Sequence, residues 1–575
     1  MSKKTVWIFV IILAVIVVLF GLTILGALWL AAGERVEVRS GSVLEINLSL
    51  DMPELPRSAP LARLFAPGEV SLIELDTVLR EASRDRRITA VYLKILPLGM
   101  SWAQIEEVRD MLKEFRKSQK KVHAYLAFDI AQERELYLAA AADEIMINPE
   151  SNLLINGLVA EISFYKRMMN KLKIEPQFIM FKEFKNPENY TRETMTPEIR
   201  SMLEGVLQDI QDRFVQAVTA DRKLEPAVLH NVMSHVLTSA TEAQKLGLID
   251  ATGYEDEIHQ KLMAGDGEDK EYRPISAQRY LKAVRGSRTG KHRVALIGGL
   301  GLILSGSGEE AWGTALGGDS LSSQLREIRR DKSVKGVLFR VDSPGGSAVG
   351  SDKIWREIGL LEKAGKPVVV SMSGVAGSGG YYISMGASRI VAHPSTITGS
   401  IGVLFSKFSL KGLYEDWLGI TTDKIKLAPH ADIFSEVHAL TPEQMDQIRK
   451  SMENTYNDFV RKAAEGRKTT FGEFEPKAHG RIYTGSQAKA LGLVDEMGGF
   501  TVAVKALKKE LKIPENESLE LVLYPKPKSL WRSLLEGDLV YMVQPRPSME
   551  SVLFGTLKQF EKPSISLLTL PFRID

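Results

Sequence analysis

The stretch Gly374-Val375-Ala376-Gly377-Ser378-Gly379-Gly380-Tyr381-Tyr382-Ile383-Ser384 decides how this chain is read. Pro367, Val368, Val369 and Val370 lead into it as an apolar, β-branched run that predicts a buried strand. Tyr381, Tyr382, Ile383 and Met385 lead out at helical spacing. A strand-to-helix turn built of small residues lifts the Ser378 hydroxyl clear of the backbone. It also aims the free amides of the helix's first turn at whatever that hydroxyl attacks. Ala376 to Gly380 comes close to the G-x-S-x-G elbow, with Ala in first place. A tight packing turn needs the same glycines, so this stretch alone leaves both readings open.

Outward from the turn, the chain repeats itself at an offset of about 245 residues. Arg84 to Val91 matches Arg330 to Val337, and Tyr137-Leu138-Ala139 matches Tyr382-Ile383-Ser384. Thr196-Pro197-Glu198 matches Thr441-Pro442-Glu443, and Leu246 to Asp250 matches Leu491 to Asp495. Register kept over such distances implies a duplicated domain. Apolar runs such as Val91 to Ile95, Val337 to Val341 and Val368 to Val370 alternate with helical patterns. One of these, Ser71 to Ala82, opens with a Ser71…Glu74 capping box. That alternation predicts an α/β fold with parallel sheets and helical layers.

Where the copies differ, they differ in chemistry. Ser378 falls opposite Glu133, and Gly379 and Gly380 fall opposite Arg134 and Glu135. The Asp342-Ser343-Pro344-Gly345-Gly346-Ser347 turn falls opposite Leu96 to Met100, and Ser400 opposite Ile155. Glycines and serines that only satisfied the fold would appear in both copies. The first half in turn carries Lys185 in Phe184-Lys185-Asn186-Pro187, opposite a segment with no matching lysine. One half therefore offers a serine and the other a lysine.

With 575 residues, a net charge of +2 and no cysteine, the chain has room for several domains. Thiol catalysis, disulfides and thiolate metal sites are excluded. No charge excess or zinc-finger, RNA-binding or P-loop pattern points to nucleic acid. Histidines are few and scattered, so no metal or other cofactor is expected. Gly298-Gly299-Leu300-Gly301 lacks dinucleotide-binding spacing and reads as a strand-to-turn transition. Residues 5–33 contain no charged side chain. That exceeds the roughly 20 residues needed to cross a bilayer and the roughly 7–15 of a secretory signal core. An uncleaved single-pass anchor is expected, although Ala31-Ala32-Gly33 also reads as a cleavage site. Lys3 and Lys4 hold the N-terminus inside, which puts the body outside the cytoplasm. The expected plan is a cytoplasmic N-terminus (1–4), the anchor (5–33), a first domain (40–263), a polar link (264–292), a second domain (293–520) and a tail (521–575). In the tail, Leu530, Trp531, Leu534 and Leu535 are expected to pack on the body, on a neighbouring subunit or on a membrane.

The D-S-P-G-G-S turn from Asp342, the S-G-G-Y-Y-I-S run from Ser378 and the P-S-T-I-T-G-S-I-G-V run from Pro394 resemble the signal peptide peptidase A family, or protease IV, in its long duplicated form. The resemblance covers nearly the whole chain. It implies two tandem ClpP/crotonase-like domains after an N-terminal transmembrane helix, with a Ser–Lys dyad split between the halves. It implies Ser378 as nucleophile, Lys185 as general base, Ser400 as the residue orienting the lysine, and the Gly379 and Gly345 amides as the oxyanion hole, with Gly346 as alternate. The lysine segment departs from the family pattern. It is one residue shorter and carries Asn186 in place of the usual serine, which leaves Lys182 as a second candidate. The resemblance further implies a bacterial inner-membrane homotetramer with its catalytic body on the periplasmic side. Its substrates would be cleaved signal peptides and other apolar peptides, handled without ATP or metal.

A lysine ammonium holds its proton far above pH 7, so it serves as a base only if burial in an apolar pocket favours the neutral form. A histidine base is the competing arrangement, with His393 and His430 nearest in sequence within the second half. Two other classes remain open to the sequence. One is a crotonase-like acyl-thioester enzyme and the other a catalytically silent membrane scaffold.

Overall fold

The computed structural model describes residues 36–50, 52–56, 70–263, 271–285, 290–308, 315–526 and 565–568, with positions 5, 7 and 15 near the N-terminus. The expected anchor at 5–33 lies, but for those three positions, outside the described residues. So do Leu530, Trp531, Leu534 and Leu535. Among the described residues no helix is long and apolar enough to cross a membrane.

The fold is α/β and follows the repeat. In the first half, six parallel strands form one sheet in the order Pro274–Ser276, Ser42–Leu48, Ile88–Ile95, Lys121–Leu126, Glu144–Ile147, Ala251–Thr252. In the second half, the path runs Ile482–Thr484, Ile397–Gly399, Val368–Gly377, Val334–Ser343, His292–Leu300, Leu519–Tyr524. Every pairing along it is parallel except that of Ile482–Thr484. Register repeats with the sequence. Ile130 pairs with Asn152 in the first half and Val375 with Ile397 in the second. The helix at Leu72–Arg84 carries the expected capping box, with Ser71 and Glu74 satisfying each other's backbone amides. The long helices Pro197–Arg222 and Pro442–Gly466 each begin with a threonine N-cap and a proline in the first turn.

The residues expected to link the halves do more than connect them. Pro274–Ser276 pairs with Ser42–Leu48 as the edge of the first sheet, and the helix Ala277–Arg285 follows it. A short strand in a polar stretch is recognised only through its partner, because backbone pairing rather than side-chain pattern defines it. The last strand of the second sheet, Leu519–Tyr524, likewise runs across the expected start of the tail.

The halves are joined in two ways. Arg340 on Val334–Ser343 is fully buried and bonds Glu54 at 2.7 Å and Glu107 at 2.6 Å, both from the first half. Ser371 and Ser373 accept its remaining donors at 2.8 and 3.1 Å, so the charge is fully satisfied. The second joint is a sheet in the order Ala315–Gly317, Leu302–Leu304, Gly345–Ser347, Ile565–Leu568, Leu404–Ser409, Glu175–Met180. In it, the first-half strand Glu175–Met180 pairs antiparallel with the second-half strand Leu404–Ser409. That pairing delivers residues 181–185 to the second half.

Candidate active site

Val368–Gly377 ends directly at Ser378, and the helical turn Gly379–Tyr382 begins directly after it. Ser378 takes φ 55° and ψ −112°, a left-handed conformation that costs a non-glycine residue about 1–3 kcal/mol. The elbow is held by Ser378 N donating to Gly399 O at 2.8 Å and by Tyr382 N donating to Ser378 O at 2.9 Å. Small residues are required around it. A Cβ on Gly379 would stand 2.7 Å from Ser351 Oγ, 3.0 Å from Gly345 Cα and 3.1 Å from Gly346 N. A Cβ on Gly380 would stand 2.4 Å from Ser343 O. The Pro-Gly-Gly turn therefore lies against the first residue after Ser378. The Gly345 amide donates to Ser343 Oγ at 3.2 Å, and Ser343 Oγ donates to Gly301 O at 2.7 Å, which fixes the turn.

Lys185 arrives from the first half. Its Nζ stands 2.7 Å from Ser378 Oγ, 2.8 Å from Ser400 Oγ and 3.1 Å from Ser400 O. Ser378, Lys185 and Ser400 are 0%, 2% and 1% exposed. Burial pushes the Lys185 amine well below its ordinary pKa of 10.5, and no charged neighbour opposes that shift. Ser400 also adopts a positive φ of 52°, held by its N–H donating to Arg481 O at 2.7 Å.

The alternative bases stand elsewhere. Lys182 forms an ion pair with Glu475 at 2.6 Å. His430 is exposed and meets Gln444 Nε2 at 3.1 Å. His393 is buried 3.9 Å from Glu106 at the junction of the halves, where burial lowers its pKa to about 4. Among the described residues no group of acidic, histidine or cysteine side chains is arranged to hold a metal ion.

An elbow serine, a buried amine and a glycine turn are the parts of an acyl-transfer site. The profile of Peptidase family S49 matches this chain twice, at residues 114–268 and 361–514. The chain belongs to peptidase family S49. It is 32% identical over 508 residues to the chloroplastic serine protease SPPA of Arabidopsis thaliana, covering 87% of this chain and 74% of that one. It is 33% identical over 452 residues to Protease 4 of Salmonella typhi, covering 76% and 71% respectively. Among solved structures, a mutant of the membrane-bound stomatin-specific protease 1510-N with a substrate peptide overlaps at 13% identity and a TM-score of 0.26, over 47% of this chain and 99% of that one. An overlap that small bears no weight here. Family membership makes the chain a serine protease, with peptides as its class of substrate.

Residues with no sequence signal complete the S49 site. A Cβ on Gly480, which has φ 80°, would stand 2.6 Å from Lys185 N and 2.7 Å from Lys185 Cβ. A Cβ on Gly402 would stand 3.3 Å from Lys185 Cβ. Phe184 N donates to His479 O at 3.1 Å, and Gly480 N donates to Ile401 O at 2.7 Å. The lysine backbone is thus threaded between Gly402 and Gly480. Glycine spacing alone does not reveal such a cradle, because its walls come from segments far apart in the chain.

Proposed function

We propose that this chain is a membrane-anchored serine endopeptidase that degrades cleaved signal peptides through a Ser–Lys dyad. The observation that carries the reading is the 2.7 Å approach of Lys185 Nζ to Ser378 Oγ, with both groups buried. A neutral amine at that position accepts the Ser378 proton as Oγ attacks the substrate carbonyl carbon. Ser400 presents Oγ and its carbonyl to the two N–H bonds of that amine, which turns the lone pair toward Ser378. The negative charge that develops on the carbonyl oxygen is met by the Gly379 amide and by the amide of Gly345, or of Gly346. The lysine then returns the proton to the leaving amine. Water repeats the sequence on the acyl-enzyme and regenerates Ser378.

Residues 5–33 support the membrane anchor, because an apolar peptide concentrates in the bilayer and a tethered site meets it there. In this reading the body faces the periplasm of a bacterial inner membrane, with each half a ClpP/crotonase-like domain. The exposed Trp417, Ile425, Leu427 and Phe434 supply an apolar surface for assembly into a homotetramer. The test is cleavage of a synthetic signal peptide by the wild type, Ser378→Ala and Lys185→Ala. Both variants are expected to lose about 10³-fold or more in kcat/KM. Activity retained by Lys185→Ala would overturn the dyad.

A further inference from the structure

The sheet that carries the Gly345 turn contains a strand from the far end of the chain. Ile565–Leu568 lies between Gly345–Ser347 and Leu404–Ser409, antiparallel to both. On one side Gly345 pairs with Leu568, Gly346 with Leu567 and Ser347 with Ser566. On the other side Leu404 pairs with Ser566 and Phe405 with Ile565. Gly345 and Gly346 are the residues against which Gly379 packs, directly after Ser378. The strand thus runs along the turn that faces the serine, and Ser378 is fully buried while it is there.

An extended peptide binds a protein by adding itself to the free edge of a sheet, with backbone bonds giving affinity and pockets giving preference. Next to Ser378, the edges open to such a peptide are Gly345–Ser347 and Leu404–Ser409. Ile565–Leu568 occupies both. Its sequence, Ile-Ser-Leu-Leu, is apolar and uncharged, and it is preceded by Pro563 and Ser564. Residues 527–564 join it to the second sheet, a length that at about 3.3 Å per residue reaches any part of the cleft. A competitor tethered this way acts at an effective concentration on the order of millimolar.

We propose that Ile565–Leu568 is a resident, displaceable ligand of the peptide cleft, a segment of the chain's own that must leave before a substrate strand can enter. The inference rests on the reading of Ser378 as the centre at which peptides are cut. It adds that the full chain is self-restrained and that the ligand class of the cleft is an extended, uncharged apolar segment. Substrate and tail compete for the same backbone groups, so restraint appears in KM and not in kcat.

Two experiments test it. In the first, a chain ending at Pro563 is compared with the full chain on a fluorogenic apolar peptide. The expected result is a KM lower by about five- to tenfold with kcat unchanged, as when a competent state populated at about 10–20% becomes fully populated. A synthetic peptide spanning Ser564 to Thr569 should then inhibit the shortened chain competitively. An unchanged KM, or inhibition that is not competitive, overturns the proposal. The second experiment needs no change in the tail. Hydrogen exchange is followed on the full Ser378→Ala protein with and without the apolar peptide. The amides of residues 565–568 should gain exchange when the peptide is added, while those of 345–347 and 404–405 stay protected. Protection of 565–568 that persists at saturating peptide overturns the proposal. This readout does not depend on catalysis, so it separates failure of the tail proposal from failure of the dyad.

Discussion

At the elbow of the first half, Glu133 turns a buried carboxylate back on the protein and accepts the amides of Asn156 and Gly157 at 2.8 and 2.9 Å. At the matching elbow of the second half, Ser378 presents a hydroxyl to a lysine. Two residues further on, Glu135 accepts the amide of Leu98 at 2.8 Å and that of Gln132 at 3.0 Å. Leu98 belongs to the turn that corresponds to the Pro-Gly-Gly turn of the second half. The copies therefore share a scaffold that points free amides at the end of one strand. In the first half, carboxylates on the same chain saturate those amides. In the second half, glycines leave them accessible to a substrate oxygen or a peptide backbone. Strand continuity differs in the same way. Val368–Gly377 runs unbroken to the serine, whereas its counterpart is split into Lys121–Leu126 and Ile130–Gln132. One copy supports, and the other reacts.

The sharpest way to break this contrast is to disturb the lysine without touching it. Gly480→Ala forces a Cβ into the Lys185 backbone at a residue with φ 80°. It should lower kcat/KM by roughly 10²-fold, as displacement of about 1 Å does in a positioned site. The tail exchange described above should be preserved in the same variant. The converse experiment is Glu133→Ala in the first half. It strips the acceptor from two amides, and denaturant unfolding should show a loss of about 1–3 kcal/mol with little change in kcat. A large fall in kcat with unchanged stability would mean that the first half does more than support.

The smallest effect concerns stability and pH. The pKa of Lys185 is lowered in the folded chain, so between that value and 10.5 the unfolded chain binds the extra proton. Wild-type stability therefore rises with pH across this window. Lys185→Met removes the slope. Its melting temperature should exceed that of the wild type by a few degrees at neutral pH, with the gap closing as pH approaches 10.5. Thermal melts over a pH series check both sign and window.

Much of this was legible before any coordinates. The Val368 to Val370 run, the small-residue turn and the helical spacing after it are local patterns, and the strand, elbow and helix appear where those patterns stand. The repeat carried further, because its offset fixes which strands pair in both halves. The Gly480 and Gly402 cradle was invisible, since its meaning depends on a segment almost 300 residues away. Glu133 and Glu135 read as ordinary charges at a helix start, and only burial against orphan amides gives them a role. Pro274–Ser276 and Ile565–Leu568 are strands by virtue of their partners, and neither has a sequence period long enough to declare it.

The central claim is that a buried, neutral Lys185 activates Ser378. Fluorophosphonate labelling of Ser378, followed as a rate against pH in the wild type and in Lys185→Met, tests it most directly. The account predicts fast wild-type labelling at neutral pH that falls off in acid through a single ionisation below 10.5, and labelling slowed by about 10³-fold in Lys185→Met at every pH. Equal rates in the two proteins, or a wild-type profile unchanged by loss of the lysine, would contradict it.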